Sequence, residues 1–194
     1  MSGLSSFDSV EGVIAKHLMS RTGGQTPKFS WLGSEDRSSL VLGKGRPFYA
    51  KIFDPRKRKL GRIRIRDKSV AAVLSSAGKS TVPPLRFAVK TRIVIRCDRN
   101  VSKEDLAKLR SLAGKEIRFD NRSKIATKKI NSAAARRIDN NTIKLTIEAE
   151  GGLMIKQFVG GQEFMTPNVS EILGTKCECV SFDILDVQVI GPAT

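Results

Sequence analysis

Apolar and polar positions follow two rhythms along this chain, one helical and one alternating. Val10, Val13, Ile14 and Leu18 recur at helical spacing behind the capping-box pattern Asp8-x-x-Glu11, which predicts a helix from Asp8 to Met19. His17 lies on or beside that apolar stripe and reads as a packed residue. Lys28 to Leu32 and Phe48 to Phe53 read as strands, the second ended by Pro55. Between them, residues 33 to 48 form a turn-rich, glycine-containing stretch that holds the adjacent acids Glu35 and Asp36. Then Arg62, Arg64 and Arg66 alternate with Ile63 and Ile65, the period of a strand that buries isoleucines and displays arginines.

The second half of the chain is dominated by the alternating rhythm. Arg86 to Cys97 predicts a long strand, Lys115 to Phe119, Ile125 to Ile130 and Thr142 to Ala149 predict further strands, and Lys176 to Val189 predicts another long one. Ser102 to Leu112 predicts a helix capped by Ser102-x-x-Asp105 and followed by Gly114, and Val169 to Leu173 a short helical turn ending at Gly174. Strands outnumber helices and no regular β-α-β repeat is present. The pattern predicts an α+β fold around a mixed, largely antiparallel sheet flanked by helices. At 194 residues, a single domain over 1–194 is expected, with room for sub-lobes of 1–85 plus 140–194 and of 86–139.

Charge changes this picture. Lys and Arg number 35 against 19 Asp and Glu, a net +16, which favours a polyanionic partner through release of phosphate counterions. The sign also reverses along the chain: residues 1–144 carry +21 and residues 145–194 carry −5. The cluster Arg56-Lys57-Arg58-Lys59 beside the alternating arginines makes Lys57, Arg58, Arg62, Arg64 and Arg66 candidate nucleic-acid contacts. No run of 18 or more apolar residues is present, which argues against a membrane role. Three cysteines without an apolar leader point to a reducing, cytoplasmic setting. Cys177 and Cys179 share one face of a strand, but one histidine and no second cysteine pair leave no zinc site, and no metal is expected.

The chemistry narrows by elimination. Gly43-Lys44-Gly45-Arg46 has neither the spacing of a P-loop nor that of a dinucleotide fingerprint, so no nucleotide cofactor is indicated. A metal-dependent nuclease wants several converging carboxylates, and only Glu35 and Asp36 cluster near the basic region. One acid in a basic field is left. Arg46 beside it is expected to bond backbone carbonyls around the turn or a phosphate.

Gly33-Ser34-Glu35-Asp36-Arg37 followed by Leu42-Gly43-Lys44-Gly45-Arg46-Pro47-Phe48 resembles the catalytic motif of the tRNA pseudouridine synthase family ten, the archaeal and eukaryotic group that modifies uridines of the TΨC arm. The block from Ala149 to Gly161 resembles that family's glycine-rich strand with its hydrophobic-basic pair, here Ile155 and Lys156, and Thr166 to Gly174 resembles its C-terminal helical motif. The resemblance runs from about Ser9 to Val189 and implies the pseudouridine synthase catalytic fold. Family members also carry an N-terminal region with a THUMP domain and a cysteine zinc site, to which no residues here correspond, so the chain reads as a truncated or split form. Where the family places an active-site tyrosine this chain has Ala135-Arg136-Arg137-Ile138-Asp139, and its only tyrosine is Tyr49. Tyr49 or a phenylalanine is then expected to take over the stacking role.

The resemblance implies Asp36 as the catalytic carboxylate, held ionised by Lys156 with Arg37 second, Ile155 pressing on the base or sugar, and Leu173 lining the pocket. Turning uridine into pseudouridine breaks the N-glycosidic bond, rotates the base and rejoins it through carbon. No redox change occurs, so no cofactor is needed. The implied partners are tRNA and a separate RNA-binding subunit. Two other classes stand beside this one: a non-catalytic RNA-binding protein derived from the fold, and an RNA-cleaving enzyme.

Overall fold

The computed structural model describes residues 9–33, 39–67, 70–77, 85–121, 124–161 and 164–192. The chain divides into two compact units, Met1–Trp31 with Pro47–Pro83, and Leu32–Arg46 with Pro84–Thr194. Strands of 86–139 and of 140–194 interleave in one sheet of the second unit.

In the first unit, helix α1 (Val10–Thr22) starts two residues later than the Asp8 its pattern predicts. The cap is Ser9, whose hydroxyl accepts the Gly12 N–H at 3.0 Å, while Glu11 accepts the Trp31 indole N–H at 2.6 Å; Asp8 lies outside the described residues. The helix also runs a turn past Met19, to Gly23 in the left-handed region, whose N–H closes on the Met19 carbonyl. Strands β1 (Lys28–Trp31) and β2 (Phe48–Lys51) pair antiparallel, as do β3 (Ile63–Asp67) and β4 (Val70–Leu74). Strand β4 is unexpected, since its alanines give the alternation little contrast. Ile14, Leu18, Ile63, Ile65 and Val70 form the core, with Phe29, Trp31 and Phe48 packed against it.

The second unit is a six-stranded antiparallel sheet in the order β10-β5-β8-β7-β6-β9, with three helices. Its strands are β5 (Leu85–Cys97), β6 (Glu116–Asn121), β7 (Lys124–Arg137), β8 (Thr142–Glu150), β9 (Met165–Thr166) and β10 (Cys177–Pro192). Helices α2 (Lys103–Arg110), α3 (Ile155–Gly160) and α4 (Val169–Leu173) complete it. Strand β8 alternates without a break, burying Ile143, Leu145, Ile147 and Ala149; each large aliphatic side chain so buried contributes roughly 2–3 kcal/mol. Strand β7 continues seven residues beyond the expected Ile130, through a bulge between Ile130 and Ser132 into the run Ser132 to Ala135, where small side chains carry no readable period. No helix among the described residues is long and apolar enough to cross a membrane.

The block after Ala149 is not a continuous strand. Gly151 and Gly152 turn the chain after β8, and Ile155, Phe158 and Val159 then repeat at helical spacing, so α3 winds with Phe158 and Val159 buried and Lys156 exposed. Gly152 sits at φ 93°, a conformation that a side chain at this position would strain.

Candidate active site

The acidic stretch is tied to the second unit on both sides. At its entrance Arg46 Nε donates to the Leu32 carbonyl at 2.8 Å, and Nη2 donates to the Gly33 carbonyl. Of the two roles expected of Arg46, the geometry gives it carbonyl bonding, which closes the base of the loop. Gly33, at φ 83°, lies where an added methyl would stand 3.7 Å from Val89 Cγ2 and 3.9 Å from Phe87 Cε2. At the exit the backbone runs beside β10: the Leu40 N–H donates to Asp183 Oδ1 at 3.1 Å, the Ile184 N–H to the Leu40 carbonyl at 2.9 Å, and the Leu42 N–H to the Ile184 carbonyl at 2.8 Å. Gly43 follows in the left-handed region, and a Cβ there would collide with the Leu185 carbonyl. Ser34 to Ser38, and so Glu35, Asp36 and Arg37, lie outside the described residues.

Asp183 is the fixed point of that exit. Arg92 on β5 donates to its Oδ2 from Nη2 at 2.8 Å and from Nε at 3.2 Å, and this guanidinium, with the Leu40 N–H, holds the carboxyl below the usual carboxylate range. The aspartate is ionised at neutral pH and joins loop, β10 and β5.

A shallow cleft opens in the second unit between these anchors. Gly33 from the loop base, Val89 and Thr91 of β5, Ala149 of β8, Ile155 of α3 and Phe182 of β10 line it, with Glu150, Gly152 and Leu153 at the turn. The structure thus brings Ile155 together with one end of the acidic loop. Lys156 follows Ile155 in the first turn of α3. Leu173 is not among the lining residues: it is buried in the core, and its carbonyl accepts Arg99 Nη2 at 2.5 Å. Val169 and Leu173 are the buried residues of α4.

Sequence reasoning left the aromatic partner open between Tyr49 and a phenylalanine. Phe87 lies at the start of β5, opposite the Gly151 turn, where the Gly151 N–H donates to its carbonyl at 2.7 Å and any Cβ at Gly151 would overlap its ring. The signal was present but needs the register: once Ala88 is paired with Glu150, an aromatic at 87 must meet whatever stands at 151. Tyr49 belongs to β2 in the first unit.

The predicted basic face is also in the first unit. Ile63 and Ile65 are buried, and Arg62, Arg64 and Arg66 are exposed, as are Lys57 and Arg58. Among the three cysteines, Cys97 and Cys177 face each other across β5 and β10 with Sγ atoms 3.5 Å apart. The contact with Cys97, together with burial, pushes the Cys177 thiol far above its usual range.

Two curated relatives are named tRNA pseudouridine synthase Pus10: that of Nitrosopumilus maritimus (strain SCM1), 38% identical over 96% of this chain, and that of Cenarchaeum symbiosum (strain A), 33% identical over 97%. The chain spans 49% and 47% of their lengths, about half. A solved structure described as "Crystal Structure of a Cbf5-Nop10-Gar1 Complex" superposes on 90% of this chain and 44% of its own with a TM-score of 0.53 at 10% identity, a likeness of fold that accords with the α+β, largely antiparallel architecture. The family model described as Pus10, C-terminal, matches residues 3–188, and this chain belongs to that family.

Proposed function

We propose that the chain isomerises uridine to pseudouridine in tRNA, in the TΨC arm, with Asp36 as the catalytic carboxylate. The observation that carries this reading is the anchoring of the two described ends of the Glu35–Asp36 loop, by Arg46 at one and Asp183 at the other, with Gly33 lining the same cleft as Ile155. The names of the relatives supply the reaction and the substrate class. In this reading the uridine leaves its stack and enters the cleft, at a cost of a few kcal/mol in unstacking that phosphate contacts offset. Asp36 attacks the sugar or base, or assists deprotonation of the sugar. Lys156 keeps it ionised, with Arg37 in reserve, since a cation within roughly 4–6 Å favours a carboxylate's charged form. Ile155 presses on the base or sugar, and Phe87 takes the stacking place of the family tyrosine. Arg62, Arg64, Arg66, Lys57 and Arg58 hold RNA phosphates, a separate RNA-binding subunit adds further grip, and the reaction is placed in the cytoplasm.

An unmodified tRNA transcript incubated with the chain, without added metal, and assayed by carbodiimide labelling tests this directly. Pseudouridine is expected with the parent and none with Asp36→Ala. Equal modification by the variant would remove Asp36 from the mechanism, and strand cleavage would replace the reaction class.

A further inference from the structure

The hairpin of β6 and β7 carries one residue that breaks its own pattern. Direct cross-strand partners share a face, and the pairs Ile117–Lys128 and Phe119–Ala126 put Lys128 on the side where Ile117 and Phe119 are buried. Ile130, two residues along the same face, is fully buried as well. The alternation calls for an apolar side chain at 128. A lysine there is half-buried, and ammonium groups in such places are costly unless they have work to do.

Its stem is accommodated by the turn that borders the cleft. A methyl group at Gly152 would stand 3.5 Å from Lys128 Cε and 3.7 Å from Nζ, so the end of the Lys128 side chain lies alongside this turn. Gly152 itself lines the cleft, beside Leu153 and Ile155. The carboxylate in the same lining does not neutralise this cation: Glu150 Oε1 lies 3.8 Å from Arg86 Nη2, and Oε2 accepts the Lys129 N–H at 3.2 Å. Among the described residues Lys128 has no ion pair and no side-chain hydrogen bond.

We propose that Lys128 grips a backbone phosphate of the nucleotide that enters the cleft. A compact ammonium on an apolar stem suits a phosphate oxygen: the stem packs against the turn while the charge is held at the rim. The proposal rests on the reading of the chain as an RNA-binding enzyme and adds to it a phosphate site outside the Asp36 and Lys156 pair and the basic strand β3.

Filter-binding titrations of an unmodified tRNA transcript over a series of KCl concentrations test it with three variants. Lys128→Met keeps the stem and drops the charge; it should lower the salt slope by about one and the affinity about five- to tenfold. Lys128→Arg should restore both, and Lys129→Met, one residue along on the opposite face, should leave the slope unchanged. The thermal midpoint of Lys128→Met should be no lower than the parent's, because methionine fits apolar neighbours. An unchanged slope in Lys128→Met, an equal loss in Lys129→Met, or a lower midpoint with no rescue by arginine overturns the proposal. The readout is binding, so a chain that binds RNA with the expected slopes yet makes no pseudouridine sinks the catalytic reading and leaves Lys128 standing. One that makes pseudouridine with an unchanged slope sinks Lys128 alone.

Discussion

Five arginines of the second unit and three of the first are used in opposite ways. In the second unit Arg46 closes the loop base, Arg92 holds Asp183, Arg99 holds Asp105 and the end of α4, and Arg110 and Arg137 cap the carbonyls of Ala135 and Val101. In the first, Arg62, Arg64 and Arg66 line up on the exposed face of β3 with no ion pair or side-chain hydrogen bond among the described residues. One set is construction, consumed by internal partners; the other is exposed charge without an internal partner among the described residues. High net charge alone does not tell the two apart, and the partner of each guanidinium does.

The comparison breaks hardest at Asp105. Its side chain is 4% exposed and takes both Arg99 nitrogens, at 2.6 and 3.0 Å, together with the Ser102 N–H at 2.9 Å, as part of the capping box of α2. Asp105→Ala should cost on the order of 3 kcal/mol of stability, read from urea midpoints, because it strands partners that were built around the carboxylate. The Arg99 guanidinium first, and the Ser102 amide after it, hold this carboxyl well below the usual carboxylate range. Its folded pKa is therefore depressed, so its contribution is fully present above about pH 4 and is lost as the pH falls further. The gap between parent and variant should be widest at neutral pH and shrink below pH 4. A gap undiminished at pH 2 would mean packing, not charge, holds this corner.

Both kinds of arginine were unequally legible in the sequence. Arg62, Arg64 and Arg66 could be read because the isoleucines between them set a period of two, and a period decides a face without knowledge of partners. Arg99 and Arg92 could not, because their partners are set by the turn into α2 and by a cross-strand register with three bulges in β10. The same limit explains α3. Two glycines after β8 read equally well as a strand with bulges or as a turn, and only the burial of Phe158 and Val159 against the sheet selects the helix. The acidic loop was legible through composition, since paired acids flanked by glycines stand out in a basic chain.

At the exposed face, changing Arg62, Arg64 and Arg66 together to Ala should lower tRNA affinity by about a hundredfold at moderate salt and reduce the salt slope by about three. Modification at saturating RNA should stay near the parent's rate. Replacing all three by Lys should keep the slope, which reports charge alone; a large loss of affinity with the slope intact would show that their planar, two-pronged donors matter. An unaltered slope in the alanine variant would place these arginines with the structural set and erase the distinction between the units.

Asp183 gives the smallest effect and the finest test, because it belongs to construction yet borders the acidic loop. Asp183→Asn retains the size of the side chain and an oxygen for the Leu40 N–H, but it sets a neutral amide against the Arg92 guanidinium, which is only partly exposed. The sheet pairing of β10 and β5 continues on either side, so the fold should survive with little loss. The exit of the acidic loop should instead gain freedom, and misplacement of a reacting group by a fraction of an ångström costs rate before it costs binding. Single-turnover modification at saturating tRNA should therefore fall about tenfold while the dissociation constant stays within about twofold. The opposite split, weaker binding at an unchanged rate, would mean that Arg92 and Asp183 meet RNA themselves, and the line between building arginines and binding arginines would then have to be drawn inside the second unit and not between the two.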